Sequence, residues 1–157
     1  MHSLFSFPNP VNEYAARSVA FMVFILVIAI LVTESIWLSA FMLYGFIARV
    51  LTGPTLSPMG QIAVRLIVPF IIKKEKRVAG PPKRFAQLVG TLFSLGIFLS
   101  FAVFNLPLTA QILLLILLAF TFLESILSFC AGCFVFQYLM KWRLIPQSVC
   151  QDCVIKE

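Results

Sequence analysis

The stretch "YAARSVAFMVFILVIAILVTESIWLSAFMLYGFIARVL", Tyr14 to Leu51, is the strongest indication of the architecture of this chain. Its two apolar runs, Tyr14–Val32 and Ile36–Leu51, are separated only by Thr33–Ser35. An apolar helix of about 20 residues crosses about 30 Å of hydrocarbon. Because so short a connection makes the two helices antiparallel, the stretch predicts a transmembrane hairpin.

A second hairpin follows from the same reasoning. Phe85–Phe104 and Leu108–Phe129 are both long and apolar, and Asn105–Pro107 connects them. The intervening segment Gln61–Ile72 is different, because a helix of that length covers only about 18 Å and this one contains a proline and an arginine. It predicts an interfacial or re-entrant helix in the long central loop.

The composition assigns the whole chain to the membrane. Its 157 residues are 61% hydrophobic and 11% charged, and the mean hydropathy is +1.03. A soluble domain is closer to half apolar, with about a quarter of its residues charged. We therefore predict an all-α integral membrane four-helix bundle in a single domain. Its predicted parts are spans over 14–32, 36–51, 85–104 and 108–129, an interfacial segment over 61–72 and a tail over 130–157.

The basic residues predict the orientation. Most of the twelve Lys and Arg lie between Arg49 and Arg84 or after the last apolar run. Such a cluster can indicate nucleic-acid binding, but basic loops beside spans are typical of the cytosolic side. The pattern predicts a multi-pass protein of the bacterial inner membrane with both termini in the cytosol, a lipid bilayer as its surroundings and no nucleic-acid partner. No residue pattern specifies an oligomeric state.

Four cysteines form two C-x2-C pairs, Cys130 with Cys133 and Cys150 with Cys153. The cytosol keeps thiols reduced, so a permanent disulfide is not expected. One interpretation is a zinc site formed by all four thiols, since two C-x2-C pairs are a spacing typical of such sites. Another is a redox dithiol at Cys130 and Cys133, and a third is that the cysteines serve only as small apolar residues.

Geometry separates these alternatives in part. If the last helix continues past Cys133 to Ile145, it carries the chain about 18 Å away, and the residues up to Cys150 return at most about 17 Å. The zinc site is then strained, which favours a thiol–disulfide redox or sulfur-transfer function with a thioredoxin-like or sulfur-carrier partner. Against the dithiol, the C-terminal end of a helix disfavours a thiolate.

Glu124 lies inside the fourth predicted span, where a carboxylate is costly unless it is paired or protonated. Arg49 and Arg17 lie at comparable depth, so we predict an intramembrane ion pair with one of them. On one continuous helix Glu124 points about 150° away from the two nearest cysteines. It is therefore not an obvious base for those thiols.

Four segments of the chain resemble a known family. The segments "NPVNEYAAR", "LTGPTLSP", "PPKRFAQLVGTLFSL" and "ESILSFCAGC" occur in this order in bacterial membrane proteins grouped as domain of unknown function 4395. The resemblance runs from Asn9 to about Tyr138, and its most specific parts are Pro82–Ala86 and the C-x-G-C pair. It implies the membrane architecture and the importance of Cys130 and Cys133, but no activity.

Overall fold

The computed structural model describes residues 10–74 and 76–146, which are mostly helical. Three of the helices, α1 (Glu13–Thr33), α4 (Gly80–Ala102) and α5 (Pro107–Leu127), are long and apolar enough to span a membrane, and α2 (Ile36–Thr52) is a shorter apolar helix. These helices confirm the prediction of a mostly helical, multi-pass membrane protein. The elements are β1 (Val11–Asn12), α1 (Glu13–Thr33), α2 (Ile36–Thr52), α3 (Pro58–Ile62), a π-helix (Ala63–Ile72), β2 (Arg77–Val78), α4 (Gly80–Ala102), α5 (Pro107–Leu127) and α6 (Ala131–Lys141).

A short antiparallel ladder brings the beginnings of α1 and α4 together. Val11 pairs with Val78 and Asn12 with Arg77. The backbone N–H of Glu13 donates to the carbonyl of Lys76 at 2.8 Å, and the side chains of these two residues form an ion pair at the same distance. The two helices therefore start on the same face of the bundle.

The core follows the inner face of α1. Val23, Val27 and Ile30 of this helix are fully or almost fully buried and belong to one apolar cluster with residues of the other long helices. Small residues let neighbouring helices approach closely, as is common in membrane bundles. A Cβ on Gly90 of α4 would lie 2.2 Å from the ring of Phe46 of α2, so that ring occupies the space left by the glycine.

Three helix boundaries differ from the predicted ones. The helix α4 begins at Gly80 instead of Phe85, because the two prolines that follow suit a first helical turn, where no backbone N–H is needed. The segment predicted over 61–72 begins at Pro58 and changes to a π-helix at Ala63. The third difference affects the cysteines directly.

The first cysteine pair was expected at the C-terminal end of the last long helix, but α5 ends before it. It ends at Leu127, and Ser128 adopts a left-handed conformation with φ of 56° that terminates it. A new helix, α6, begins at Ala131 within the predicted tail. The expectation that Cys130 and Cys133 lie at a helix C-terminus is therefore wrong.

Candidate functional site

Cys130 is the N-cap residue of α6. Its backbone is extended, with φ of −93° and ψ of 103°, and its Sγ accepts a hydrogen bond from the backbone N–H of Cys133 at 3.3 Å. The first N–H groups of a helix lack intrahelical partners and carry the positive end of the helix dipole. The sulfur of Cys130 thus lies where a thiolate is stabilised, which is the setting of reactive C-x-x-C pairs.

The two thiols differ in their affinity for a proton. The hydrogen bond with the Cys133 side chain lowers the pKa of Cys130, and Lys83 lowers it further, against the opposing effects of burial and Glu124. The same hydrogen bond, together with burial, raises the pKa of Cys133. Cys130 is therefore the thiol of the pair that loses its proton more readily, and Cys133 is the one that holds its proton more tightly.

Gly132 allows this helix N-terminus to lie directly against α4. A Cβ at this position would lie 2.6 Å from both the Cα and the Cβ of Ala86, and the Cα cannot move aside as a side chain can. Farther along α6, the buried ring of Phe136 packs on Phe85 with 5.7 Å between ring centroids. The glycine of the C-x-G-C motif is thus explained by close contact between two helices.

An ion pair lies beside the dithiol. Lys83 Nζ of α4 is 2.8 Å from Glu124 Oε1 of α5, and their side chains are only 10% and 16% exposed. Both residues interact electrostatically with Cys130 and Cys133. The estimate that Glu124 points away from the thiols assumed one continuous helix, and it does not apply because α6 is a separate helix. The carboxylate and the two thiols therefore belong to one cluster.

The predicted partners of Glu124 make other contacts. Arg17 donates from Nε and Nη2 to the carbonyl of Ser125, at 3.2 and 3.1 Å, and so caps the free carbonyls at the end of α5. Arg49 donates to the Gln87 side chain at 2.8 Å. The pairing of Glu124 with Arg49 or Arg17 is therefore corrected to a pairing with Lys83. Lys83 was not predicted as a partner because it precedes the predicted span and belongs to the predicted basic loop, whereas the earlier start of α4 places it inside the helix.

A cavity of about 300 Å³ opens beside Cys130, between α4, α5 and α6. The lining residues with reactive or polar side chains include Cys130, Glu124 and Gln87. Most of the remaining wall is apolar or aromatic. One side of Cys130 is therefore accessible from this cavity, which a chemical group of another molecule can enter. Such a group could approach this residue without displacing a helix.

The zinc interpretation needs residues beyond the described part of the chain. Cys150 and Cys153 lie outside the described residues. Within 10–74 and 76–146, no group of three or more His, Cys, Asp or Glu side chains is arranged to hold a metal ion. Cys130 and Cys133 supply two thiols, and the four-cysteine zinc site stays a prediction.

Fold and site together define a multi-pass helical membrane protein with a C-x-x-C pair at a helix N-terminus. The chain belongs to the family described as Domain of unknown function (DUF4395), whose model matches residues 11–141. This confirms the resemblance seen in the sequence. The matched range includes Lys83, Glu124 and the first cysteine pair but ends before Cys150. No curated protein and no solved structure matches the chain.

Proposed function

We propose that this protein is a membrane-bound thiol–disulfide oxidoreductase whose reactive dithiol is Cys130 and Cys133. The observation that carries the proposal is the position of the Cys130 sulfur at the N-terminus of α6, where the Cys133 N–H donates to it. Lys83 adds a positive charge nearby, and the negative charge of Glu124 opposes it. A thiolate is the nucleophile in disulfide exchange, so this arrangement favours Cys130 as the attacking residue.

The reaction follows from the different proton affinities of the two thiols. The Cys130 thiolate attacks one sulfur of a partner protein's disulfide, and the partner's S–S bond breaks as a mixed disulfide forms. The other partner sulfur leaves as a thiolate and takes up a proton. Cys133 then loses its proton and attacks the Cys130 sulfur, which releases the second partner thiol and leaves a Cys130–Cys133 disulfide. Two electrons and two protons pass to the partner.

The pair must then be reduced again. A dithiol protein of the thioredoxin-like class supplies the two electrons by the reverse exchange, and its own thiols become a disulfide. This partner suits a site on the cytosolic face, where such proteins stay reduced.

The proposed topology has four spans, with both termini in the cytosol of a bacterium. The ladder between β1 and β2 supports it, because α1 and α4 start on one face, so a chain that crosses with α1 must return before α4. The helix α2 suits the return, since its 17 residues extend about 26 Å. The basic residues before α4 favour the cytosol for this face.

Trapping of the mixed disulfide tests the redox function. Cys133→Ser removes the thiol that resolves the intermediate, so this variant should accumulate a covalent, reductant-sensitive adduct with a partner protein in cells quenched with acid and alkylated. Cys130→Ser is the matched control and should yield at least about tenfold less adduct, since burial still raises the pKa of Cys133 after the Cys130 thiol is removed and leaves it a poor nucleophile. Equal trapping by both variants, or a wild-type pair that is never oxidised, would contradict the proposal.

A further inference from the structure

A second cavity, of about 220 Å³, lies next to the cavity that contains Cys130. Its wall includes the beginning of α1, the end of α2 and the beginning of α4. Its polar and charged lining side chains are those of Asn12, Arg49, Lys83 and Gln87. The rest of the wall is mainly apolar. Gln87 lines both cavities.

Arg49 is the unusual residue in this wall, because it is a buried cation held by neutral groups. The residue is only 5% exposed. Its Nε donates to Gln87 Oε1 at 2.8 Å, its Nη1 donates to Ser57 Oγ at 3.4 Å, and its guanidinium carbon lies 4.5 Å from the centre of the Phe46 ring. Its Nη2 donates to no group within residues 10–74 and 76–146.

No carboxylate of the described residues accepts a hydrogen bond from this guanidinium, and Glu124 acts on it only as a nearby charge. Glu124 is bound to Lys83, and Glu13 is bound to Lys76. Glu34 accepts a hydrogen bond from Gln111 at the other end of α1. While both thiols hold their protons, Arg49, Lys83 and Glu124 together carry one more positive than negative charge in a largely buried cluster.

Such a cluster is expensive without a counter-ion. A buried charge normally has a partner of opposite sign, and ionisable residues inside a membrane protein commonly mark a binding site or an ion path. A guanidinium also matches oxyanions well, since its fork of N–H groups can donate two parallel hydrogen bonds. We propose that this cavity binds an oxyanion of the phosphate class, with Arg49 Nη2 as its principal donor and Lys83 as a nearby charge.

The phosphate group has two possible sources. A lipid headgroup fits the mostly apolar wall, and a free anion fits the position of the cavity at the ends of helices. The oxyanion site contains no cysteine, and its binding is measured without any redox step, so either proposal can fail alone.

Binding is measured on the purified full chain in a neutral maltoside detergent. Inorganic phosphate is titrated by calorimetry, and retention of phosphatidylglycerol is measured separately by native mass spectrometry. We expect at least one probe to bind the wild-type protein. Binding of phosphate alone identifies a free anion, whereas retention of the lipid alone identifies a headgroup.

Variants then link the binding to the residue. Arg49→Gln should weaken the bound probe at least about tenfold, and Arg49→Lys, which keeps the charge but loses the fork, should weaken it less. Arg65→Gln is the matched control because it removes an exposed arginine from the π-helix, and it should leave the affinity unchanged. If Arg49→Gln does not fold, the lysine variant decides. The proposal is overturned if wild-type protein binds neither probe, or if both Arg49 variants and Arg65→Gln bind as wild type does.

Discussion

Lys83 Nζ and Glu124 Oε1 lie 2.8 Å apart and connect the first turn of α4 to the last turns of α5. Both helices are long enough to span a membrane, and α6 begins only a few residues after Glu124. The ion pair therefore holds the end of α5 against the start of α4, close to the point where α6 begins. It also sets the charges that the two thiols experience.

The first prediction concerns this pair. Glu124→Gln should destabilise the protein by about 3–5 kcal/mol, because it leaves the Lys83 ammonium buried without its partner. Adding Lys83→Met should cost less than the sum of the single changes, by about 0.5–3 kcal/mol, since one interaction is lost only once. Equilibrium unfolding in detergent measures all three variants.

Arginine variants provide the controls for that cycle. Combining Glu124→Gln with Arg65→Gln should give additive losses, because Arg65 is exposed on the π-helix. A larger coupling of Glu124 to Arg17 or Arg49 than to Lys83 would contradict the pairing described above and restore the partner expected from the sequence.

The second prediction concerns Gly132. Gly132→Ala should lower the free energy of unfolding by about 1–3 kcal/mol, because the new methyl group meets the backbone of Ala86. It should also slow alkylation of Cys130 near neutral pH, as α6 moves away from Lys83. Gly96→Ala is the control, since its methyl group would meet only the end of the Leu113 side chain, at 3.1 Å. Equal losses in both variants would argue against the tight contact between α4 and α6.

The sequence predicted those parts of the fold that depend on the composition and length of a single segment. Apolar runs and short connections identified the helical hairpins, because hydrophobicity and length are properties of a segment. The end of α5 carried no such signal, since Ser128 takes a left-handed conformation that glycine or asparagine usually marks. The location of the cysteines at a helix N-terminus therefore appeared only in the structure.

Lys83 shows a second limit. The prolines before it were interpreted as a break ahead of the helix, although proline is equally suited to the first helical turn. That choice moved the lysine out of the span and left the arginines as the apparent partners of Glu124. The two-residue ladder that aligns α1 with α4 was also invisible, because strands this short have no periodicity to read.

The third prediction concerns pH. A lowered pKa means that Cys130 is already partly thiolate at a pH where an ordinary thiol, with a pKa of about 8.5, is not. Its alkylation by iodoacetamide should therefore rise with pH to a midpoint below about 8.5, whereas Cys133 should react only at higher pH. Mass spectrometry of the labelled peptides separates the two sites.

A control variant tests the cause of that shift. Lys83→Met combined with Glu124→Leu removes the ion pair without leaving a buried charge. Its Cys130 midpoint should move only slightly, and downward, because Glu124 raises the pKa of Cys130 more than Lys83 lowers it, while the hydrogen bond with Cys133, which is the largest cause, is kept. A midpoint at or above about 8.5 in the wild-type protein would rule out Cys130 as an activated nucleophile.

The fourth prediction separates the dithiol from the zinc site. A relay requires free thiols, so the reduced, purified protein should hold far less than one zinc per chain, and Cys150→Ser should not change trapping by Cys133→Ser. A four-cysteine zinc site would instead protect all four thiols from alkylation until a chelator is added, because metal binding requires the deprotonated sulfurs. One zinc per chain, lost equally on substitution of either pair, would replace the redox proposal.

The last prediction concerns topology, and its measurements constrain one another. Reporter fusions after Arg77 and after Glu157 should both report the cytosol, and fusions after Glu34 and after Leu106 should both report the outside. Arg77 pairs with Asn12 in the ladder, so the starts of α1 and α4 must share one face whichever side it is. The helix α6 has 11 residues and extends only about 16 Å, too little to carry the chain across again.

An external signal after both Arg77 and Glu157 would mean that the topology is inverted and that the dithiol lies in an oxidising compartment. Opposite signals from these two fusions would instead mean that α5 does not return to the face where α4 starts, which is incompatible with the contact between Gly132 and Ala86.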